Sequence, residues 1–300
     1  MKRFFDFEAH ATDFSWINAY TCAHAAQLAY ADRETIGRHI EREWGSQEQT
    51  QHHDWEFIED VQTDTQAFVL STDTFILVAF RGSETPVDLM TDVSLDLIPG
   101  TFGGELHEGF ARAVDSIWVP LTAAVDRFCG DKSKSLWFTG HSLGASLATI
   151  TVARFLEERM GQRLAGLYTF GQPRTGNSRF ARTFDGIFRS RTFRFVNNND
   201  VVARIPPRLL GYRHIGLLHY FNRHGELRNE QTRWWRFFDQ LMGRCAGLLR
   251  WGTDGVLDHG IAHYVRLVRR QYLRERRVQH AARYAARLRE QELLSEIPGI

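Results

Sequence analysis

Cysteine is scarce in this sequence: Cys22, Cys129 and Cys245 lie far apart and are odd in number. That excludes a disulfide framework and any paired CxxC metal spacing. At least one thiol stays unpaired, which suits a reducing compartment. No run of about 18 apolar residues occurs, so no membrane-spanning helix is expected. Internal repeats and low-complexity linkers are missing as well. Charge of one sign is not in excess. The 37 basic and 36 acidic residues leave a net charge of +1, so overall charge gives no reason to expect a nucleic-acid binder. Met1 to Glu8 brings acidic groups before any long apolar run, so no cleavable signal peptide is expected. The expected location is the cytoplasm, or outside the cell after export without such a peptide.

What is present is enough apolar material, 43% of 300 residues, for a sizeable core in one large domain or two ordinary ones. Phe14 to Tyr30 has helical spacing. Gln66 to Ser71 and Thr74 to Phe80 read as two strands across a short polar turn. Leu106 to Cys129 reads as a long helix, Leu136 to Thr139 as a short strand and Leu143 to Met160 as a helix. Leu164 to Phe170 and Arg191 to Asn197 are further strands. Strands alternating with helices predict an α/β fold with a mostly parallel sheet.

Gly140-His141-Ser142-Leu143-Gly144 is a G-x-S-x-G pattern between an apolar strand and a helix rich in small residues. That context predicts a nucleophile elbow, with Ser142 on a sharp turn above the sheet. Glycines flank it because side chains there would strike the strand or the helix. The first amides of the helix would face any developing anion. A nucleophilic serine needs a base and an orienting acid, which follow it along the chain in hydrolases of this architecture. Asp200, just past the strand ending at Asn197, is the candidate acid. His259 and His263, one helical turn apart, are both candidate bases.

These blocks together resemble the class 3 lipases, the family of the filamentous-fungal triacylglycerol lipases and their bacterial and plant relatives. The resemblance runs from about Phe14 to Leu267. It rests on Phe80 to Ser83, His107 to Phe110, the elbow, Phe170 to Asn177, Phe195 to Asp200 with Arg204 to Pro207, Gly211 to Gly216, and Asp258-His259 with Tyr264. It implies an α/β-hydrolase fold, a bacterial member of the family, and a Ser142–His259–Asp200 triad. It implies an oxyanion hole at Ser83 and Leu143, and neither metal nor cofactor. The expected reaction is hydrolysis of acylglycerols or similar lipid esters through an acyl-serine. Phospholipase A1 and short-chain carboxylesterase are the alternatives within that chemistry. A catalytically silent lipid-binding protein on the same fold is the alternative outside it.

Three segments qualify as lipid contacts. Residues 83–99 are the expected lid, with Val87, Met90 and Val93 on one helical face. Residues 228–251 place Trp234, Phe237, Phe238 and Leu241 among arginines, as an interfacial helix or a core-packed one. The hydrolase domain is expected to span 1–265, followed by a basic helical arm over 266–300. Nine arginines against four glutamates between Arg266 and Glu296 fit either a solvated helix packed weakly on the domain or one attracted to an anionic membrane surface.

Overall fold

The computed structural model describes residues 7–43, 53–83, 95–130, 134–158, 163–228 and 257–295. Helix α1 (Trp16–Leu28) and helix α2 (Arg33–Glu43) precede strands β1 (Asp54–Asp60), β2 (Thr65–Ser71) and β3 (Phe75–Phe80). Two short strands, β4 (Leu97–Pro99) and β5 (Glu105–His107), lead into helix α3 (Glu108–Cys129). Then come β6 (Ser135–His141), α4 (Leu143–Glu157), β7 (Leu164–Phe170), β8 (Gly176–Asn177), α5 (Ser178–Phe188) and β9 (Thr192–Asn197). Strands β10 (Tyr212–Arg213), β11 (Leu217–Phe221) and β12 (Leu227–Arg228) precede the final helix, α6 (Ile261–Ser295).

The main sheet has the order β1-β2-β3-β6-β7-β9-β11-β12. Its centre, β3 through β11, is parallel, and antiparallel pairs close both edges. This is the α/β-hydrolase fold expected from the sequence. The six residues of β3 are all buried, as a strand covered on both faces requires. Alternation then divides them between two cores. Ile76, Val78 and Phe80 join the cluster containing α3, α4 and α5. Phe75, Leu77 and Ala79 join the cluster of α1, α2 and the start of α6 on the other face.

A four-stranded sheet, β10-β8-β5-β4, lies beside the main one. It corrects two expectations. Residues 97–99, assigned to the end of the lid, pair with β5, and Leu106 and His107, the first two residues of the expected long helix, are themselves strand. Lid residues 84–94 and the insert at 229–256 lie outside the described residues.

Helix α1 points toward the catalytic edge of the sheet, since Tyr30, two residues past its end, reaches His141 at the tip of β6. Helix α6 starts at that edge and runs back. Tyr264 bonds Asn197, and two turns later Tyr272 stacks on Tyr20 of α1 at 5.6 Å. The boundary drawn at 265/266 therefore falls inside one continuous helix. Residues 276–287 are exposed throughout, so this part of the helix continues away from the catalytic edge without packing on the domain.

Candidate active site

Ser142 sits where β6 turns sharply into α4, with φ +56° and ψ −129°. That left-handed backbone is strained for a residue with a side chain, and the surroundings must hold it. They do so by close approach. A Cβ on Gly140 would lie 2.3 Å from the Gly144 backbone, and one on Gly144 would lie 2.4 Å from the Phe80 carbonyl oxygen. The Ser142 amide donates to the Phe170 carbonyl at 3.0 Å, fixing the elbow to the end of β7. Leu143 opens α4, so its N–H has no acceptor within the helix. Gly82, beside Ser83 in the loop after β3, lies against the same turn: its Cβ position is 3.2 Å from that of Ser142.

Asp200 is fully buried beyond β9. Its Oδ1 accepts the amides of Val202 at 2.9 Å and Ala203 at 3.3 Å. His259 Nδ1 donates to the same carboxylate at 2.9 Å, and the Tyr264 hydroxyl donates to Oδ2. Burial pushes the carboxyl pKa up, but the His259 ring and the Tyr264 hydroxyl outweigh it and hold it below the usual range. Gly171, at φ +58°, makes room for this pair. A Cβ there would lie 2.8 Å from both Asp200 Oδ2 and His259 Cε1.

Two chain segments next to Ser142 touch His259. The His141 ring lies 4.5 Å from the His259 ring, and Gly171 follows Phe170, the acceptor of the Ser142 amide. Ser142 Oγ and His259 Nε2 are both buried and make no hydrogen bond. Such catalytic contacts often tighten only when substrate is bound. Of the two candidate bases, His259 meets Asp200, while the His263 amide bonds Gly260 within the first turn of α6.

The sequence reading named Asp258 and the asparagines only as parts of motifs and missed that they join these loops. Asp258 Oδ2 accepts from the Asn198 side chain at 2.9 Å and from the Asn199 amide at 3.2 Å. The Asn197 side chain donates to the Asp258 carbonyl at 2.8 Å. The residues just before Asp200 are thereby clamped to the residue just before His259. Tyr30 and His141 were missed as well. The asparagines before Asp200 had suggested only a polar turn.

Among the described residues, no group of three or more His, Cys, Asp or Glu side chains could hold a metal. No helix there is long and apolar enough to cross a membrane.

Residues 77–210 match the family model described as Lipase (class 3). A lipase of Rhizomucor miehei is 33% identical over 162 residues, covering 51% of this chain and 44% of the relative. A secreted mono- and diacylglycerol lipase of Malassezia globosa is 35% identical over 113 residues, covering 37% of each chain. The chain thus spans less than half the length of either relative. A solved triacylglycerol lipase with a serine-protease triad at its catalytic centre superposes with a TM-score of 0.61 at 23% identity, covering 81% of this chain and 92% of that one. The matched segment is fungal-lipase-like. Both relatives are fungal, and nothing in these likenesses supports the expectation of a bacterial member.

Proposed function

We propose, with the class 3 lipase relationship as premise, that this protein is a serine carboxylic-ester hydrolase acting on acylglycerols. One observation carries the reading: a fully buried Asp200–His259 pair set beside a strained serine elbow. In this reading Asp200 holds the proton of His259 on Nδ1, leaving Nε2 free to take the Ser142 proton. Ser142 Oγ attacks the ester carbonyl, and the tetrahedral oxyanion is held by the Ser83 and Leu143 amides. His259 then returns its proton to the departing alcohol. Water enters the acyl-serine by the same route and releases the fatty acid.

Preorganised amides matter because the charge appears on one oxygen in the transition state; one such donor is worth about 2.7–4 kcal/mol in comparable sites. Acylglycerol as substrate is favoured by the fungal relatives, whose names specify lipase or mono- and diacylglycerol lipase activity. The experiment is a panel of emulsified triacylglycerol, diacylglycerol, a phospholipid and soluble short-chain esters. Acylglycerols should be turned over fastest; a preference for phospholipid or for short soluble esters would overturn the substrate assignment.

The surface partner in this reading is an anionic lipid interface, and α6 supports it. Between Arg266 and Arg289 the chain carries nine arginines and one glutamate. Val278 and Tyr284 are 63% and 61% exposed on the same stretch. Arginine heads with apolar neighbours suit the boundary between headgroups and acyl chains.

A further inference from the structure

The Tyr30 hydroxyl and the His141 ring meet where three loops of the site converge. Tyr30 comes from the connection between α1 and α2, and His141 is the residue before Ser142. Their Oη and Nδ1 atoms are 2.7 Å apart. The other ring nitrogen of His141, Nε2, is 2.7 Å from the backbone carbonyl oxygen of His259. The backbone of Gly82, one residue before Ser83, packs against the Tyr30 hydroxyl oxygen.

Proton roles follow from the one group that cannot vary. A carbonyl oxygen only accepts, so His141 carries its proton on Nε2 and donates it to His259. His141 Nδ1 is then an acceptor, and the Tyr30 O–H must donate to it. Both bonds in the chain from Tyr30 to His141 to His259 thus have one fixed direction. Burial pushes the His141 pKa down to about 3, ahead of the smaller influence of the His259 ring, and burial pushes the Tyr30 hydroxyl up. Neither group changes protonation at neutral pH.

Close packing supports the same connection. A Cβ on Gly82 would lie 2.2 Å from the Tyr30 hydroxyl oxygen and 2.5 Å from the His141 carbonyl oxygen. Residue 82 must therefore be glycine for the loop after β3 to rest on Tyr30 and on the elbow at once.

We propose that Tyr30 and His141 are positioning residues that set the loop bearing the Ser83 amide, the Ser142 elbow and the His259 backbone in mutual register. This inference rests on the hydrolase reading. Neither residue needs to touch substrate. Tyr30 fixes the height of the oxyanion loop through Gly82, and His141 carries that reference to the base. The loop after β3, the elbow and the loop before α6 are far apart in sequence, and their errors of position would otherwise add. A displacement of oxyanion donor or base by a fraction of an ångström weakens transition-state contacts more than ground-state binding.

The test is a double-mutant cycle on the full chain, with Tyr30→Phe, His141→Gln and the pair, assayed on a soluble short-chain ester. Tyr30→Phe keeps the ring and deletes one oxygen. We expect kcat to fall about 5- to 50-fold with KM within twofold, because only alignment is lost. The double variant should be little worse than the poorer single, since either break interrupts the same chain. The Tm of each variant calibrates folding, and kcat is compared at a temperature where all are folded. Fluorophosphonate labelling of Ser142 in Tyr30→Phe should be slowed in step with kcat. Wild-type kcat in Tyr30→Phe, or effects of the two substitutions that simply multiply, would overturn the proposal. Wild-type chain that neither labels nor turns over ester would instead refute the hydrolase reading beneath it.

Discussion

Asp200 accepts from two backbone amides, a histidine and a tyrosine while fully buried, and so remains a carboxylate where an unpartnered acid would be neutral. A charged Asp200 gives His259 its orientation, and His263 has no such neighbour among its hydrogen bonds. His259→Asn should therefore lower kcat/KM on a soluble ester by about 10³-fold or more, a loss of the size seen when a triad member is removed. His263→Asn should stay within about threefold. Steady-state kinetics of the two purified variants check this, and the reverse ranking would move the base to His263. Ser142 was legible in the sequence because its requirements are local: two glycines, a strand before and a helix after. The roles of Tyr30 and Asp258 were not, because their partners His141 and Asn198 lie 111 and 60 residues away. No local pattern in a single sequence records such a pairing.

At the scale of elements, legibility followed burial. Strand β3 reads as an unbroken apolar run and is buried on both faces, and β7 ran over the expected residues. Helix α2 escaped notice because Arg33–Glu43 is mostly charged and buries only Ile36, Gly37 and Ile40. Strand β1 was missed for a similar reason, with Asp54, Glu56, Glu59 and Asp60 interrupting its apolar residues. The strands of the small sheet are two or three residues long, too short for any periodicity to show.

Ser142, Asp200 and His259 are all 0% exposed, and under the proposed lipase reading an ester reaches them after a lid opens. Exposing an apolar face in water costs about 25 cal/mol per Å², and a lipid surface removes that cost. Hydrolysis of a sparingly soluble ester should thus rise sharply once its concentration passes the solubility limit. A rate curve that crosses the limit without a break would count against gating.

Helix α6 leads to a separate expectation. Its exposed part runs away from the catalytic edge, so it can hold the protein on a surface without forming the site. Replacing Arg276, Arg283 and Arg287 with glutamine should reduce co-sedimentation with anionic vesicles severalfold, more so at low salt. Turnover of a soluble ester should not change. Equal binding of wild type and triple variant would show that these charges make no lipid contact.

Five histidines spread over the described residues are kept neutral, chiefly by desolvation. Desolvation lowers the pKa of His24, His107 and His219 to about 4 and that of His141 to about 3, and carries His214 well below its ordinary value. In the unfolded chain these groups return to about 6.5. Because the folded values are the depressed ones, their contribution to stability is complete above pH 6.5 and is lost as pH falls toward 4. Each group that takes up a proton only on unfolding removes about 1.4 kcal/mol per pH unit in that window. The protein should denature in mild acid, with Tm falling steadily from pH 7 to pH 5. A Tm that stays flat over that range would mean that these rings are hydrated and titrate in the folded state.

The catalytic expectations all depend on Ser142 being an activated nucleophile, and that can be observed directly. A fluorophosphonate reacts with a serine hydroxyl only where a base removes its proton and an oxyanion site accepts the phosphoryl oxygen. The native protein treated with such a reagent, digested and mapped by mass spectrometry, should carry one adduct, on the peptide containing Ser142. Asp200→Asn and His259→Asn should suppress it, and heat-denatured protein should show none. An unlabelled Ser142 in folded protein, or labelling that persists without His259, would contradict the account.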